Sequence, residues 1–65
     1  MSRFRSDDAP ALIRAARADA GLTQVELARR AGLFQPSLAQ MESGARPVSE
    51  QMLERVLRAA GYRPS

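Results

Sequence analysis

Residues 21–46 read GLTQVELARRAGLFQPSLAQMESGAR, and their punctuation decides the fold. Thr23 followed three residues later by Glu26 is a capping box, in which the hydroxyl accepts from the Glu26 N–H and the carboxylate reaches back to the Thr23 amide. Leu22 and Leu27 stand at the two positions of a hydrophobic staple around that start. Leu27, Ala28 and Ala31 recur at helical spacing to give one apolar face. Gly32 follows, able to take the positive φ that a sharp stop requires. A second helix is expected from Gln35. Pro36 fits there because the first turn has no use for the N–H it lacks. Leu33 staples to Leu38, Leu38 and Met41 point inward, and Gly44 closes the segment. Gln35, Ser37 and Gln40 fall on the other faces of this helix.

The flanks extend the same pattern. Upstream, Asp7 and Asp8 offer N-cap oxygens and Pro10 suits a first helical turn. Leu12, Ile13, Ala16 and Ala20 then recur at helical spacing up to Gly21. Downstream, Ser49 caps a last helix reaching Ala60, with Val48 stapled against Leu53 and an apolar face of Met52, Leu53, Val56, Leu57 and Ala60. Gly61 ends it. The expectation is an all-α fold in which short helices share one core. Residues 1–6, with Arg3 and Arg5 around Phe4 and no period, are expected to be a flexible basic arm. Residues 7–61 form the domain and residues 62–65 a short tail.

Composition narrows the chemistry. A 65-residue chain is one domain and buries only about 60% of the surface its unfolded form exposes. With no Cys and no His it has neither a disulfide nor the usual zinc ligands, and no carboxylate cluster suggests another metal. No nucleophile stands beside a plausible base, so an enzyme is not expected, and neither a metal nor a cofactor is implied. All ten basic residues are Arg, and the net charge of +3 favours an anionic partner, although Arg with many Ala also fits a GC-rich genome. No apolar run approaches a membrane span, and the start MSRFRSDDAP lacks the apolar centre of a signal peptide, so the expected location is the cytoplasm.

Two short helices joined by a Gly-centred turn, the second presenting Gln and Ser, form an arrangement that lets one helix lie in a groove about 12 Å wide while its predecessor rests on the backbone. Over residues 12–61 the sequence resembles the lambda Cro and C1 repressor type of helix-turn-helix, the XRE family, and residues 21–46 match its two-helix core in spacing throughout. The resemblance implies a compact four- to five-helix, lambda-repressor-like DNA-binding domain whose second and third helices make the motif. By the same resemblance Gln35, Ser37 and Gln40 look towards base edges. Gln24, Thr23, Ser43 and Arg46 lie against the DNA backbone, and Gln24 braces Gln35. Arg17 and Glu42 correspond to a structural ion pair between the first and third helices. A Gln amide agrees with such a role, because its donor and acceptor match N6 and N7 of adenine.

Departures from the pattern matter as well. Phe34 stands where similar sequences carry a Ser or Thr cap, and an exposed ring there can touch a thymine methyl, a deoxyribose or a partner protein. Pro36 replaces a residue that often reaches DNA and leaves only apolar contact. Val25, where a polar residue is common, is an isolated apolar spot or part of a protein interface. Arg14, Arg29 and Arg30 are either further backbone contacts or a solubilising face. The leading expectation is a transcriptional repressor, bacterial or phage-encoded, that binds a palindromic operator in double-stranded DNA as a homodimer. Two other readings remain open: an antitoxin-like autoregulator that also holds a toxin protein, and a DNA-targeting module of a larger protein.

Overall fold

A computed structural model describes residues 8–62 of the chain. Its elements are α1 (Ala9–Ala20), α2 (Gln24–Ala31), α3 (Gln35–Ser43) and α4 (Glu50–Ala59), with no strand among the described residues. The arm at residues 1–6, Asp7 and the last three residues of the expected tail lie outside the described residues.

The helix starts divide into those that use a side-chain cap and those that do not. At α2 both halves of the capping box form: Glu26 N–H donates to the Thr23 hydroxyl at 3.1 Å and Thr23 N–H donates to Glu26 Oε1 at 2.8 Å. The Thr23 amide first, and the hydrogen-bonding proton of its hydroxyl second, hold the Glu26 carboxyl below its ordinary range. At α4 the Met52 N–H donates to the Ser49 hydroxyl at 3.1 Å. The start of α1 departs from the sequence expectation. Asp8 occupies the N-cap but makes no side-chain cap bond, and its backbone is already helical at φ −92° and ψ −3°. An N-cap carboxylate needs an extended backbone to reach the second or third N–H of its helix, and Pro10 supplies no N–H at the second position.

Helix ends are tighter. Gly32 takes φ +73°, its N–H donates to the Arg29 carbonyl at 3.2 Å, and the Leu33 N–H donates to the Ala28 carbonyl at 2.8 Å. This paired closure satisfies two orphan carbonyls and reverses the chain at once, so that only three residues separate α2 from α3. A side chain at position 32 would be strained by that φ, and its Cβ would also meet the Arg55 guanidinium at 2.9 Å.

Every helix contributes to one core. Ile13 from α1, Leu27 from α2, Leu38 from α3 and Leu53 with Val56 from α4 are fully buried. Leu22, Leu33 and Val48, each just before an N-cap, lie in or against the same cluster and fix the angle at which each helix enters. α1 packs on α3 and α4, and α2 packs on the same two. The apolar side of α3 is thereby taken up by Leu38 and Met41, while Phe34, Pro36, Gln40 and Ser43 are left exposed.

Candidate nucleic-acid interface

The surface in question is built from the first turns of α2 and α3 and the loop after α3. Its foundation is Glu42, a carboxylate in the last turn of α3 that retains only 4% exposure. A negative charge at a helix C-terminus opposes the helix dipole, and burial adds a desolvation cost, so this residue needs cationic partners. α1 supplies them. Arg17 engages both carboxylate oxygens, Nε to Oε2 at 2.7 Å and an Nη to Oε1 at 3.0 Å, with a side chain that is itself 24% exposed. The Arg14 guanidinium donates to the Glu42 backbone carbonyl. Burial alone raises the Glu42 carboxyl, but the hydrogen bonds from Arg17 and Gln24 and the charges of Arg17 and Arg14 outweigh it, so the net position is below the ordinary carboxylate value. Arg17 is raised in turn by its hydrogen bond to Glu42. Its second Nη donates to the Leu22 carbonyl at 3.2 Å, which ties the loop before α2 into the same clamp.

From Glu42 the network runs outward. Gln24 Nε2 donates to Glu42 Oε1 at 3.1 Å, and Gln35 Nε2 donates to Gln24 Oε1 at 2.9 Å. The direction of each bond is dictated from the inside. An ionised carboxylate only accepts, so Gln24 must turn its amide NH2 towards Glu42. Its carbonyl is then left for Gln35, which must present NH2 to it in turn. Gln35, half-buried in the first turn of α3, therefore keeps its Oε1 and one remaining N–H for an external partner. One donor and one acceptor on a side chain of fixed orientation is the pattern that pairs with the major-groove edge of adenine.

The other residues singled out by the sequence are placed around this core network. Gln40 is exposed and Ser37 half-buried on α3. Thr23 is exposed at the N-cap of α2, where its hydroxyl accepts from Glu26 N–H. Ser43 is exposed but engaged locally, donating to the Gln40 carbonyl at 3.1 Å and accepting from the Ala45 N–H at 3.3 Å. Arg46 is exposed in the loop between α3 and α4. The backbone amides just before it are not free, because Gly44 N–H donates to the Met41 carbonyl and Ala45 N–H to the Gln40 carbonyl. An anion at this loop is left with the Arg46 guanidinium rather than with those two amides. Phe34 and Pro36 are exposed on either side of Gln35, and Phe34 makes no cap hydrogen bond.

Sequence reasoning treated Arg14 as a lesser surface charge, whereas it braces the end of α3. The available signal was its position three residues before Arg17, on the same face of α1. The link from Gln24 to Glu42 was also missed, since it joins residues 18 apart whose proximity depends on how α2 packs on α3. Among the described residues no group of acidic or other ligating side chains is assembled for a metal ion, and no helix is long and apolar enough to cross a membrane.

Comparison with known families assigns the chain. The helix-turn-helix domain family matches residues 11–64, and the chain belongs to it. No curated protein and no solved structure matches the chain. The four-helix architecture of the described residues, with its motif in α2 and α3, is of the lambda-repressor-like kind, and the class it defines is that of DNA-binding regulators.

Proposed function

We propose that the chain is a sequence-specific transcriptional repressor of the lambda Cro and C1 type, which binds a palindromic operator in double-stranded DNA as a homodimer. The observation that supports this most is the fixed amide of Gln35 at the exposed start of α3, held by Gln24 and ultimately by the buried Glu42 carboxylate. In this reading α3 lies in the major groove and Gln35 pairs with an adenine, with Gln40 and Ser37 further along the same helix. Pro36 adds apolar contact beside Gln35. Thr23, Gln24 and Arg46, with Ser43 once its hydroxyl turns from the Gln40 carbonyl, meet phosphates on either side and set the register of the helix without reading sequence. Two copies related by a two-fold axis engage half-sites about 34 Å apart, and occupancy of a promoter suffices for repression. The location that follows from this role is the cytoplasm.

The test is selection of bound sequences from a random duplex pool with the purified chain. The expected outcome is an enriched palindrome with half-sites about one helical turn apart. Repeating the selection with Gln35→Ala should leave the palindrome spacing intact and relax preference at one position of each half-site, a loss of about 1 to 3 kcal/mol in discrimination there. Recovery of sequences at random by the parent chain would refute the proposal.

A further inference from the structure

Three large apolar side chains are conspicuously exposed among the described residues: Val25 at 52%, Tyr62 at 46% and Phe34 at 82%. Phe34 is the most exposed and the least expected, because it occupies the N-cap of α3, where an oxygen-bearing side chain would close the helix. Its backbone does behave as a cap. At φ −73° and ψ 140° it is extended, and its carbonyl accepts from the Ser37 and Leu38 N–H groups at 3.1 and 3.2 Å. The main chain is thus anchored as a helix start while the ring does nothing for the helix. Leu33, immediately before it, packs against the core, and Pro36, two residues on, is exposed, so the tip of α3 reads apolar, amide, apolar from 34 to 36.

We infer that Phe34 is a specificity-determining residue that reads the 5-methyl group of a thymine next to the base pair addressed by Gln35. The inference rests on the proposed entry of α3 into the major groove. When a recognition helix enters that groove, its N-terminal residues meet the base edges. Those edges carry hydrogen-bond donors and acceptors at every pair and one apolar group, the C5-methyl of thymine. A ring with no hydrogen-bonding atom gains nothing from the donors and acceptors and displaces water from the methyl. Gln35, held to one orientation by Gln24, stands directly beside it, so the tip of α3 is matched to adjacent positions rich in A·T pairs.

The test uses the duplex obtained by selection with the parent chain, together with variants in which each thymine in turn is replaced by uracil. Uracil pairs identically and lacks only the methyl. For the parent chain, one uracil position in each half-site should weaken binding about fourfold, the value of burying a single methyl group. For Phe34→Ala, that same substitution should have no effect, with the helical content of the variant checked by circular dichroism. Uniform tolerance of uracil by a tightly binding parent chain would overturn the role of Phe34 and leave α3 in the groove. A uracil effect that persists in Phe34→Ala would assign the methyl to another residue and likewise overturn it. A change of oligomeric state in Phe34→Ala, with uracil sensitivity unaltered, would make the ring a protein contact instead. Failure of any duplex to be selected would refute DNA reading itself, a result distinguishable from the others.

Discussion

The starts of α2 and α3 are built on opposite principles. α2 begins with a complete capping box, a staple residue and a carboxylate in its first turn. α3 begins with a phenylalanine whose side chain caps nothing, a proline in its first turn and no acidic residue there. Both are short helices that need help to persist, since isolated segments of this length are not stable in water. The difference shows how labour is divided within the motif. α2 is optimised locally and serves as a footing, whereas α3 is held from behind, through Leu38, Met41 and the Glu42 clamp, so that its leading end is free for chemistry that does not stabilise the fold. Local rules are most often broken where a surface has another use.

That comparison is broken most severely by removing the clamp that supports both starts. Arg17→Met leaves a carboxylate with 4% exposure facing an apolar side chain and should lower stability by about 3 kcal/mol, measured by urea denaturation. For a chain of this size that is a large share of the total. A loss below about 1 kcal/mol would reduce the pair to an ordinary surface ion pair.

Next in size are two substitutions that sharpen the contrast because their signs should differ. Thr23→Ala removes the side-chain half of the α2 capping box and should cost about 1 kcal/mol. Phe34→Ser supplies the missing oxygen at α3 and should stabilise the chain by up to about 1 kcal/mol. Thermal midpoints moving in the same direction would dissolve the distinction between footing and presenting helix.

The smallest expected effect is one of acidity. The Glu42 carboxyl titrates below its ordinary value of 4.5 in the folded chain, so on acidification the unfolded chain takes up the proton first. The stability it contributes is complete above the ordinary value and is lost as the pH falls through the lower, folded value. Denaturation midpoints followed from neutral pH to about pH 3 should decline across that interval, and Glu42→Gln should flatten the decline. Glu26, also depressed, leaves a residual slope of the same sign in that variant. Identical pH profiles for parent and variant would contradict the role given to Glu42.

Much of this organisation is legible in the residues. Caps, staples and Gly stops are local signals, and for α2, α3 and α4 they mark the helix starts within a residue. Asp8 misled because an N-cap side chain works only from an extended backbone, and nothing local in the sequence says that this backbone is helical. The relay from Arg17 through Glu42 and Gln24 to Gln35 was legible only in fragments. Arg17 and Glu42 lie 25 residues apart, and Gln24 and Glu42 lie 18 apart, so their meeting is a property of packing. Composition could not separate Arg14, which braces α3, from a solvated charge of the same kind. The exposure of Phe34 was readable as a departure at a cap position, whereas the anchoring of its backbone was not.

The central claim is that the leading end of α3 is the part of the molecule that meets DNA. The direct measurement is titration of the isotope-labelled chain with its selected duplex, followed through backbone amide and Gln side-chain amide NMR signals. The largest shifts should fall on Phe34, Gln35 and Gln40, with smaller ones at Thr23, Gln24 and Arg46, while α1 and α4 change little. Shifts concentrated on α1 and α4, with the Gln35 amide unmoved, would contradict the account.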